Sequence, residues 1–334
     1  MDVSLNMNAE KATPKWSGYD IIGDVHGCAQ SLERLLERLG YSRDAQGYRH
    51  PHRQAIFLGD IVDRGPSIRQ ALHLVRAMVD RGAARMLLGN HEYNALAYAT
   101  PALPESGMDY VRPHTPHNHR QLRETLSQFE AYPKEWRWFL DWFQTLPLFM
   151  EWDNFRVVHA CWDADLIAQY RQEFDSQGYF DHQLLLASSR PGSLEAHIMH
   201  RLTRGLDIPL PKGMTVKSRD GIERRKFRAK FWDPGDGLRC YRDWAFQPDP
   251  LPPELATKPI TAEHRRQMVH YGPDEKPLFV GHYWLMGEPQ PLAPNIACLD
   301  YSAVNSGKLV AYRMDGEARL DKAKFVWVNT SGNF

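Results

Sequence analysis

Six side chains of the types that bind divalent metal ions follow short apolar segments of this sequence. They lie in GDVHG (23–27), GDIVDRGP (59–66), GNHE (89–92), VVHA (157–160) and VGHY (280–283). The candidate ligands are Asp24, His26, Asp60, Asn90, His159 and His282. Carboxylate, amide and imidazole groups suit Mn²⁺, iron and Zn²⁺. The set is large enough for two ions, and two ions held close together need a shared carboxylate, for which Asp60 is the central candidate.

The segment GDIVDRGP also has a simpler interpretation. It follows the apolar residues 55–58 and has the composition of a turn. On this interpretation Asp60 and Asp63 only cap the helix that follows. The two interpretations differ in whether other segments bring further ligands to the same place.

The residues beside the candidate ligands suggest hydrolysis of a phosphate ester. A hydroxide held between two cations can attack phosphorus in line. Arg64 can bind the phosphoryl oxygens through its guanidinium fork. His91, next to Asn90, can protonate the leaving oxygen, and Asp63 can orient His91.

The apolar periodicity of the sequence predicts alternating strands and helices, with the strands ending at these motifs. Strands are predicted at 19–22, 55–58 and 85–88, and helices at 29–39, 67–81 and 92–99. A hairpin is predicted over 148–159, and further strands at 278–280, 297–299 and 309–312. This order indicates largely parallel strand pairing. We therefore predict an α/β fold of the α+β sandwich type, with central β-sheets flanked by helices and the metal site at the carboxyl ends of strands.

The remaining segments have weaker patterns. Residues 1–17 are expected to form a flexible arm, followed by a single domain over 18–334. Residues 100–119 are expected to form a long irregular loop, followed by a helix over 124–142 that breaks at Pro133. The segment from about 165 to 277 is interpreted as an insertion of helices and strands on the core. It includes a predicted hairpin around 218–221 and a strand over 222–232, on which one face carries Arg224, Lys226, Arg228 and Lys230.

Composition excludes several classes of protein. The chain has 334 residues with 41 Lys and Arg and 41 Asp and Glu, so its formal net charge is +0. A balanced charge argues against a protein that coats nucleic acid or anionic membranes. There is no apolar run of the roughly 18 residues that a membrane span needs, and the first residues lack the apolar core of a signal peptide. We therefore expect a cytoplasmic protein that binds neither nucleic acid nor membrane.

The motifs GDVHG, GDIVDRGP and GNHE, then a single His and a GH, resemble in this order those of the calcineurin-like metallophosphoesterase superfamily. They are most similar to its phosphoprotein-phosphatase branch, which includes bacterial dinucleoside tetraphosphatases. The resemblance covers residues 23–282, with some similarity to about 314.

The resemblance implies a site for two divalent ions, with Mn²⁺ expected and iron or Zn²⁺ as alternatives. It implies that the first ion is bound by Asp24, His26 and Asp60, and the second by Asp60, Asn90, His159 and His282. It also implies that His91 is the acid, Asp63 its partner and Arg64 a phosphate clamp.

The sequence departs from the superfamily pattern in two places. Residues 281–284 are GHYW, where these enzymes more often have GHT. The superfamily also usually supplies a second phosphate-binding arginine from the inserted region. Arg228 is our candidate for this role, and the alternative is that its basic strand face is merely solvated.

Three functions remain open. The first expected substrate is a phosphomonoester, such as a phosphorylated Ser or Thr of a protein. The alternative is a dinucleoside polyphosphate, because ACLDYSAVNSGKLVAYRM (297–314) resembles the closing hairpin of the bacterial tetraphosphatases. The third is a catalytically silent regulatory binding module. Such a module is expected to lack at least one ligand or the acid, and this sequence has all of them.

Overall fold

The computed structural model describes residues 16–174, 178–211, 213–217, 223–233, 240–247 and 251–330. Its α-helices are α1 (Ala29–Arg38), α2 (Ile68–Asp80), α3 (Asn90–Ala99), α4 (Pro116–Phe129), α5 (Pro133–Phe143), α6 (Ala164–Glu173), α7 (His182–Ala187), α8 (Leu194–Arg204), α9 (Tyr241–Trp244), α10 (Pro253–Ala256) and α11 (Ala262–Arg266). Short 3₁₀ turns lie at Pro104–Ser106, Ala303–Asn305 and Lys322–Lys324.

The strands are β1 (Gly18–Ile22), β2 (Ser42–Asp44), β3 (Gly47–Arg49), β4 (Arg53–Phe57), β5 (Ala84–Met86), β6 (Phe149–Glu151), β7 (Arg156–Val158), β8 (Asp207–Pro209), β9 (Val216–Lys217), β10 (Glu223–Arg224), β11 (Lys226–Ala229), β12 (Ala245–Gln247), β13 (Leu278–Val280), β14 (Ile296–Cys298), β15 (Asp300–Tyr301), β16 (Lys308–Met314) and β17 (Phe325–Asn329). Among the described residues, no helix is both long and apolar enough to cross a lipid bilayer.

Two larger sheets form the centre of the fold. The first has the order β15-β16-β1-β4-β5, with β17 also paired to β16. In it β1, β4 and β5 are parallel, whereas β16 runs antiparallel to β1. The second has the order β14-β13-β7-β6, in which β13 is parallel to both β14 and β7. The predicted fold class is confirmed, with parallel pairing interrupted by antiparallel strands in both sheets.

Alternating side chains of the strands divide the apolar core into layers. Ile21 and Ile56 lie in the cluster between the two sheets, together with Val157 and Phe279 of the second sheet. Their neighbours Ile22 and Phe57 lie in a larger cluster with the helices, since successive side chains of a strand point to opposite faces. The ends of the parallel strands β1 and β4 nearest the site are therefore buried on both faces, which explains the apolar residues at 21–22 and 55–58.

The region predicted as an insertion contributes to two different clusters. Side chains of α6, α7 and α8, such as Ile167, Leu185 and Ile198, pack into the large helix-facing cluster. The sheet of β8, β11 and β12 instead has a separate cluster that includes Ile208, Phe227 and Trp244. The first half of this region is therefore packed as part of the main core.

Most of the predicted elements lie within two or three residues of the observed ones, and one expected loop is wrong in part. Helix α4 begins at Pro116, inside the expected loop of 100–119. The hydroxyl of Thr115 accepts a hydrogen bond from the backbone N–H of Asn118, and Pro116 at the first helical position needs no donor. The expected strand over 222–232 is divided into β10 and β11. The hairpin turn at 218–221 and residues 1–15 of the expected arm lie outside the described residues.

Candidate active site

The loops that follow five strands converge at one place. Asp24 and His26 follow β1, Asp60 follows β4, and Asn90 follows β5 at the start of α3. His159 follows β7 and His282 follows β13, both in the second sheet. All six side chains are less than a tenth exposed. The carboxyl ends of the strands thus supply the predicted ligands from both sheets, as expected for a site in an α/β fold.

Asp60 lies at the centre of this group. Its Oδ2 atom is 3.8 Å from Nε2 of His26 and 3.4 Å from Nε2 of His159. Two possible metal-binding groups share it, His26–Asp60–His91 and Asp60–His159–His282, and within each the donor atoms lie within 4.8 Å of one another. Asp24 lies beside the second group, where its carboxylate accepts a hydrogen bond of 3.1 Å from the backbone N–H of His282.

The histidine rings are oriented by backbone carbonyls. Nδ1 of His26 lies 2.8 Å from the carbonyl oxygen of Val62, and Nδ1 of His159 lies 2.7 Å from that of Leu58. Each Nδ1–H therefore donates to a carbonyl, which directs Nε2 into the site. Nε2 of His26 and Nε2 of His282 are buried and have no hydrogen-bond partner among the described residues. Buried nitrogens without a partner are costly, and divalent cations held by the two groups would satisfy them.

The charge balance of the site also fits cations. Burial and the charge of Asp300 raise the pKa of Asp24 well above its usual range. Burial opposes protonation of His159, but the carboxylates of Asp60 and Asp24 raise its pKa to about 10. A proton on His159 thus offsets the buried carboxylates, and a metal ion would replace that proton.

The backbone of the site is held in a strained conformation. His26, Asp60, Asp63, Arg64 and His282 all have positive φ angles, between 43° and 71°. Residues with a Cβ atom adopt this region at a cost of about 1–2 kcal/mol each. Surrounding contacts must supply that energy, and strain of this kind is concentrated at functional sites.

Glu92 supplies part of that support, and the sequence analysis gave it no role. Its buried carboxylate accepts hydrogen bonds from the backbone N–H groups of Asp60 and Ile61 at 2.8 Å and of Gly89 at 3.1 Å. Burial and the charge of Asp60 raise the pKa of Glu92 to about 7. The sequence did contain a signal for this role, because Glu92 is an acidic residue at the third position of a helix. A side chain there can accept a hydrogen bond from the backbone N–H at the helix start.

His91, Asp63 and Arg64 lie together beside Asp60. Nδ1 of His91 is 2.6 Å from Oδ2 of Asp63. Asp63 is fully buried, and its Oδ1 accepts a hydrogen bond from the hydroxyl of Thr125 in α4. Nε2 of His91 is 3.2 Å from Nη2 of Arg64. A guanidinium only donates, so Nε2 of His91 is the acceptor in this arrangement.

The residues GHYW place an aromatic ring at the edge of the site. Tyr283 is buried and donates its hydroxyl to the carbonyl oxygen of Ala160. Trp284 is 44% exposed, and its ring lies 4.4 Å from the guanidinium carbon of Arg64. This cation–π contact is a second contact of the Arg64 guanidinium, besides the one with His91.

Two arginines of the inserted region lie close to the site. The predicted Arg228 is on β11, where its Nε is 3.4 Å from Oδ1 of Asp207. Burial, and then the charge of Arg228, hold the pKa of His282 well below its usual range. Arg204, at the end of α8, donates to Oδ1 of Asn94 in α3. The sequence analysis missed Arg204, because only the tertiary contact of α8 with α3 distinguishes it from any arginine at a helix end.

Comparison with known proteins found a matching family and several relatives. Residues 19–201 match the family described as calcineurin-like phosphoesterase. An asymmetrical bis(5'-nucleosyl)-tetraphosphatase PrpE of Oceanobacillus iheyensis is 32% identical over 147 residues, which are 42% of this chain and 54% of the relative. A symmetrical bis(5'-nucleosyl)-tetraphosphatase of Vibrio campbellii is 29% identical over 160 residues, 47% of this chain and 50% of the relative. The chain spans about half the length of these curated relatives.

Solved structures with a similar chain fold are less similar to this chain in sequence. A protein serine/threonine phosphatase from Saccharomyces cerevisiae is 13% identical with a TM-score of 0.49, covering 97% of this chain and 82% of its own. A cold-active protein-tyrosine phosphatase of a Shewanella species is 13% identical with a TM-score of 0.45, covering 96% of this chain and 83% of its own.

Proposed function

This chain belongs to the calcineurin-like phosphoesterase family, and on that basis we propose that it hydrolyses a phosphate ester at the site centred on Asp60. One observation carries the proposal. Asp60 is shared by two groups of side chains that could hold a metal ion, His26–Asp60–His91 and Asp60–His159–His282, and Nδ1 of His91 lies within hydrogen-bond distance of Asp63.

The side chains present fit two divalent ions. Asp24, His26 and Asp60 would hold one, and Asp60, Asn90, His159 and His282 the other. When bound, such ions lower the pKa of water and offset negative charge on phosphoryl oxygens. The mixture of oxygen and imidazole ligands suits Mn²⁺ and also allows iron or Zn²⁺.

The protein's own groups would perform the remaining steps. Arg64 would turn its guanidinium from His91 to two oxygens of the phosphoryl group, which its fork matches. That movement leaves Nε2 of His91 free to carry a proton to the leaving oxygen. Asp63 would keep the ring oriented and stabilise its protonated form, because it accepts the hydrogen bond from Nδ1.

The experiment that tests this proposal is hydrolysis of p-nitrophenyl phosphate by protein stripped with a chelator, before and after addition of Mn²⁺. Activity that requires the added metal supports it. Absence of hydrolysis with metal shown to be bound, on this ester and on a dinucleoside polyphosphate alike, would instead favour a silent binding module. Parallel additions of Fe²⁺ and Zn²⁺ compare the candidate metals.

Two substrate classes remain. A phosphorylated Ser or Thr of a protein would release inorganic phosphate. A dinucleoside polyphosphate would release nucleotides, and the names of the two tetraphosphatase relatives favour this second class. Phosphopeptides and diadenosine tetraphosphate, compared by kcat/KM on the metal-loaded protein, separate the two.

A further inference from the structure

Asn94 joins two arginines next to the proposed catalytic residues. It lies one helical turn after Asn90 in α3, so the two side chains share one face of the helix, roughly 5–6 Å apart. Asn94 is 4% exposed. Its Oδ1 accepts a hydrogen bond of 3.0 Å from Nη1 of Arg112 and another from Arg204. One neutral oxygen therefore bridges two guanidinium groups.

Neither of these arginines has an acidic partner within the described part of the chain. The other partner of Arg112 is the amide oxygen of Gln121, and its Nε is buried without a partner. Several partly buried arginines elsewhere are paired with carboxylates, such as Arg53 with Asp20 and Arg156 with Glu151. Arg112 and Arg204 are exceptions in a protein that usually neutralises such groups.

The electrostatic cost of this arrangement is visible in the guanidinium groups themselves. Burial and the neighbouring charge of Arg204 lower the pKa of Arg112 to about 10. Burial also lowers the pKa of Arg204, and the charge of Arg228 adds to that effect, although Tyr93 and the carboxylates of Asp207 and Asp60 oppose it. Two close, poorly compensated cations are unfavourable unless an anion joins them.

The position of Arg112 and Arg204 indicates which anion they bind. Both guanidinium groups contact Asn94, which lies one helical turn after the proposed ligand Asn90, so both lie beside the proposed metal site. Arg64, the proposed clamp for the phosphoryl group that is cleaved, instead contacts His91 and Trp284. We propose that Arg112 and Arg204, bridged by Asn94, form a second anion subsite that binds the phosphate adjacent to the one being cleaved.

This inference rests on the proposed hydrolysis and narrows its substrate class. A phosphomonoester of a Ser or Thr side chain has no second phosphate for the subsite. A polyphosphate chain has a second phosphate, and its oxygens can accept charge-assisted hydrogen bonds from a guanidinium. The substrate is therefore a compound with at least two linked phosphates.

The test is the variant Arg112→Gln, with Arg190→Gln as its control. Arg190 is an exposed arginine paired with Glu105 and lies outside the site. We expect Arg112→Gln to lower kcat/KM for diadenosine tetraphosphate at least tenfold more than for p-nitrophenyl phosphate, chiefly through KM. Arg112→Lys, which keeps the charge, recovers part of the loss. Arg190→Gln changes kcat/KM for neither substrate. Equal losses on both substrates would mean that Arg112 only supports the fold and would overturn the subsite.

A binding measurement keeps the subsite testable without turnover. Methylenediphosphonate, a pyrophosphate analogue that resists hydrolysis, and inorganic phosphate are titrated calorimetrically into the metal-loaded protein. We expect the wild-type protein to bind the diphosphonate at least tenfold more tightly than phosphate, and Arg112→Gln to lose that preference. Equal affinity of the wild-type protein for both ligands would refute the subsite. Preferential binding of the diphosphonate without hydrolysis of any ester would support the subsite and refute the proposed reaction.

Discussion

Gly281 is a position at which the addition of one methyl group should disturb the proposed metal site. It lies between β13 and His282, and its N–H donates to the carbonyl oxygen of His159. A Cβ atom at this position would lie 2.1 Å from Oδ1 of Asp24. Its φ angle lies outside the left-handed region, so the substitution Gly281→Ala acts through the contact with Asp24 and not through backbone strain.

The size of the effect follows from that distance. Contacts of a Cβ atom below 3.0 Å are essentially absent from proteins. Oδ1 of Asp24 would lie only 2.1 Å from the added Cβ, so this carboxylate must move by about 1 Å. Bonds from oxygen to a divalent ion tolerate deviations of only about 0.2 Å. We therefore expect Gly281→Ala to weaken metal binding about 10–100-fold, as loss of ligand orientation does elsewhere. That range corresponds to about 1.4–2.8 kcal/mol.

The assay is calorimetric titration of Mn²⁺ into chelator-stripped protein, with urea unfolding of the metal-free form alongside it. Gly272→Ala is the matched control, because its Cβ would meet no atom closer than 3.8 Å. Gly272→Ala should bind Mn²⁺ as the wild-type protein does. If Gly281→Ala bound Mn²⁺ within twofold of the wild-type affinity, Asp24 would not be a metal ligand in the position described.

Three further outcomes follow from single contacts. His91→Asn should lower kcat on p-nitrophenyl phosphate by roughly 10²–10⁴ while bound metal, measured by elemental analysis, stays constant; full activity would exclude His91 as the acid. Thr125→Val leaves the buried N–H of Asp63 without its 3.0 Å acceptor and should lower the free energy of unfolding by about 1–3 kcal/mol in urea titrations. An unchanged midpoint would contradict that contact. Burial opposes ionisation of Glu151, but three neighbouring cationic side chains hold its pKa at about 2, below the ordinary 4.5. Glu151 therefore stabilises the fold above pH 4.5 and ceases to do so as the pH falls to about 2. The stability difference between wild type and Glu151→Gln, about 1–3 kcal/mol at pH 6 after allowance for solvent screening, should disappear over that range, and a constant difference would refute the assignment.

The local pattern of the sequence was sufficient for the elements around the site. Apolar runs such as 55–58 are buried on both faces, and an apolar stripe of period 3.6 marks α1 and α2. The candidate ligands follow those runs directly, so the ends of the strands could be located without knowing how the strands pair. The beginning of α4 was missed although Thr115 and Pro116 form a recognisable helix start, because the surrounding Pro and His residues indicated a loop.

The sequence by itself identified the residues proposed to carry the chemistry, since the proposed ligand, acid and clamp side chains each lie within a few residues of an apolar strand or a glycine turn. Only the tertiary structure decided how they are supported and what surrounds them. Glu92 meets the loop of Asp60 some 30 residues earlier, and Arg204 meets Asn94 across 110 residues. Such contacts leave no periodicity in the sequence, because they depend on how helices and sheets pack and not on the local conformation of the chain.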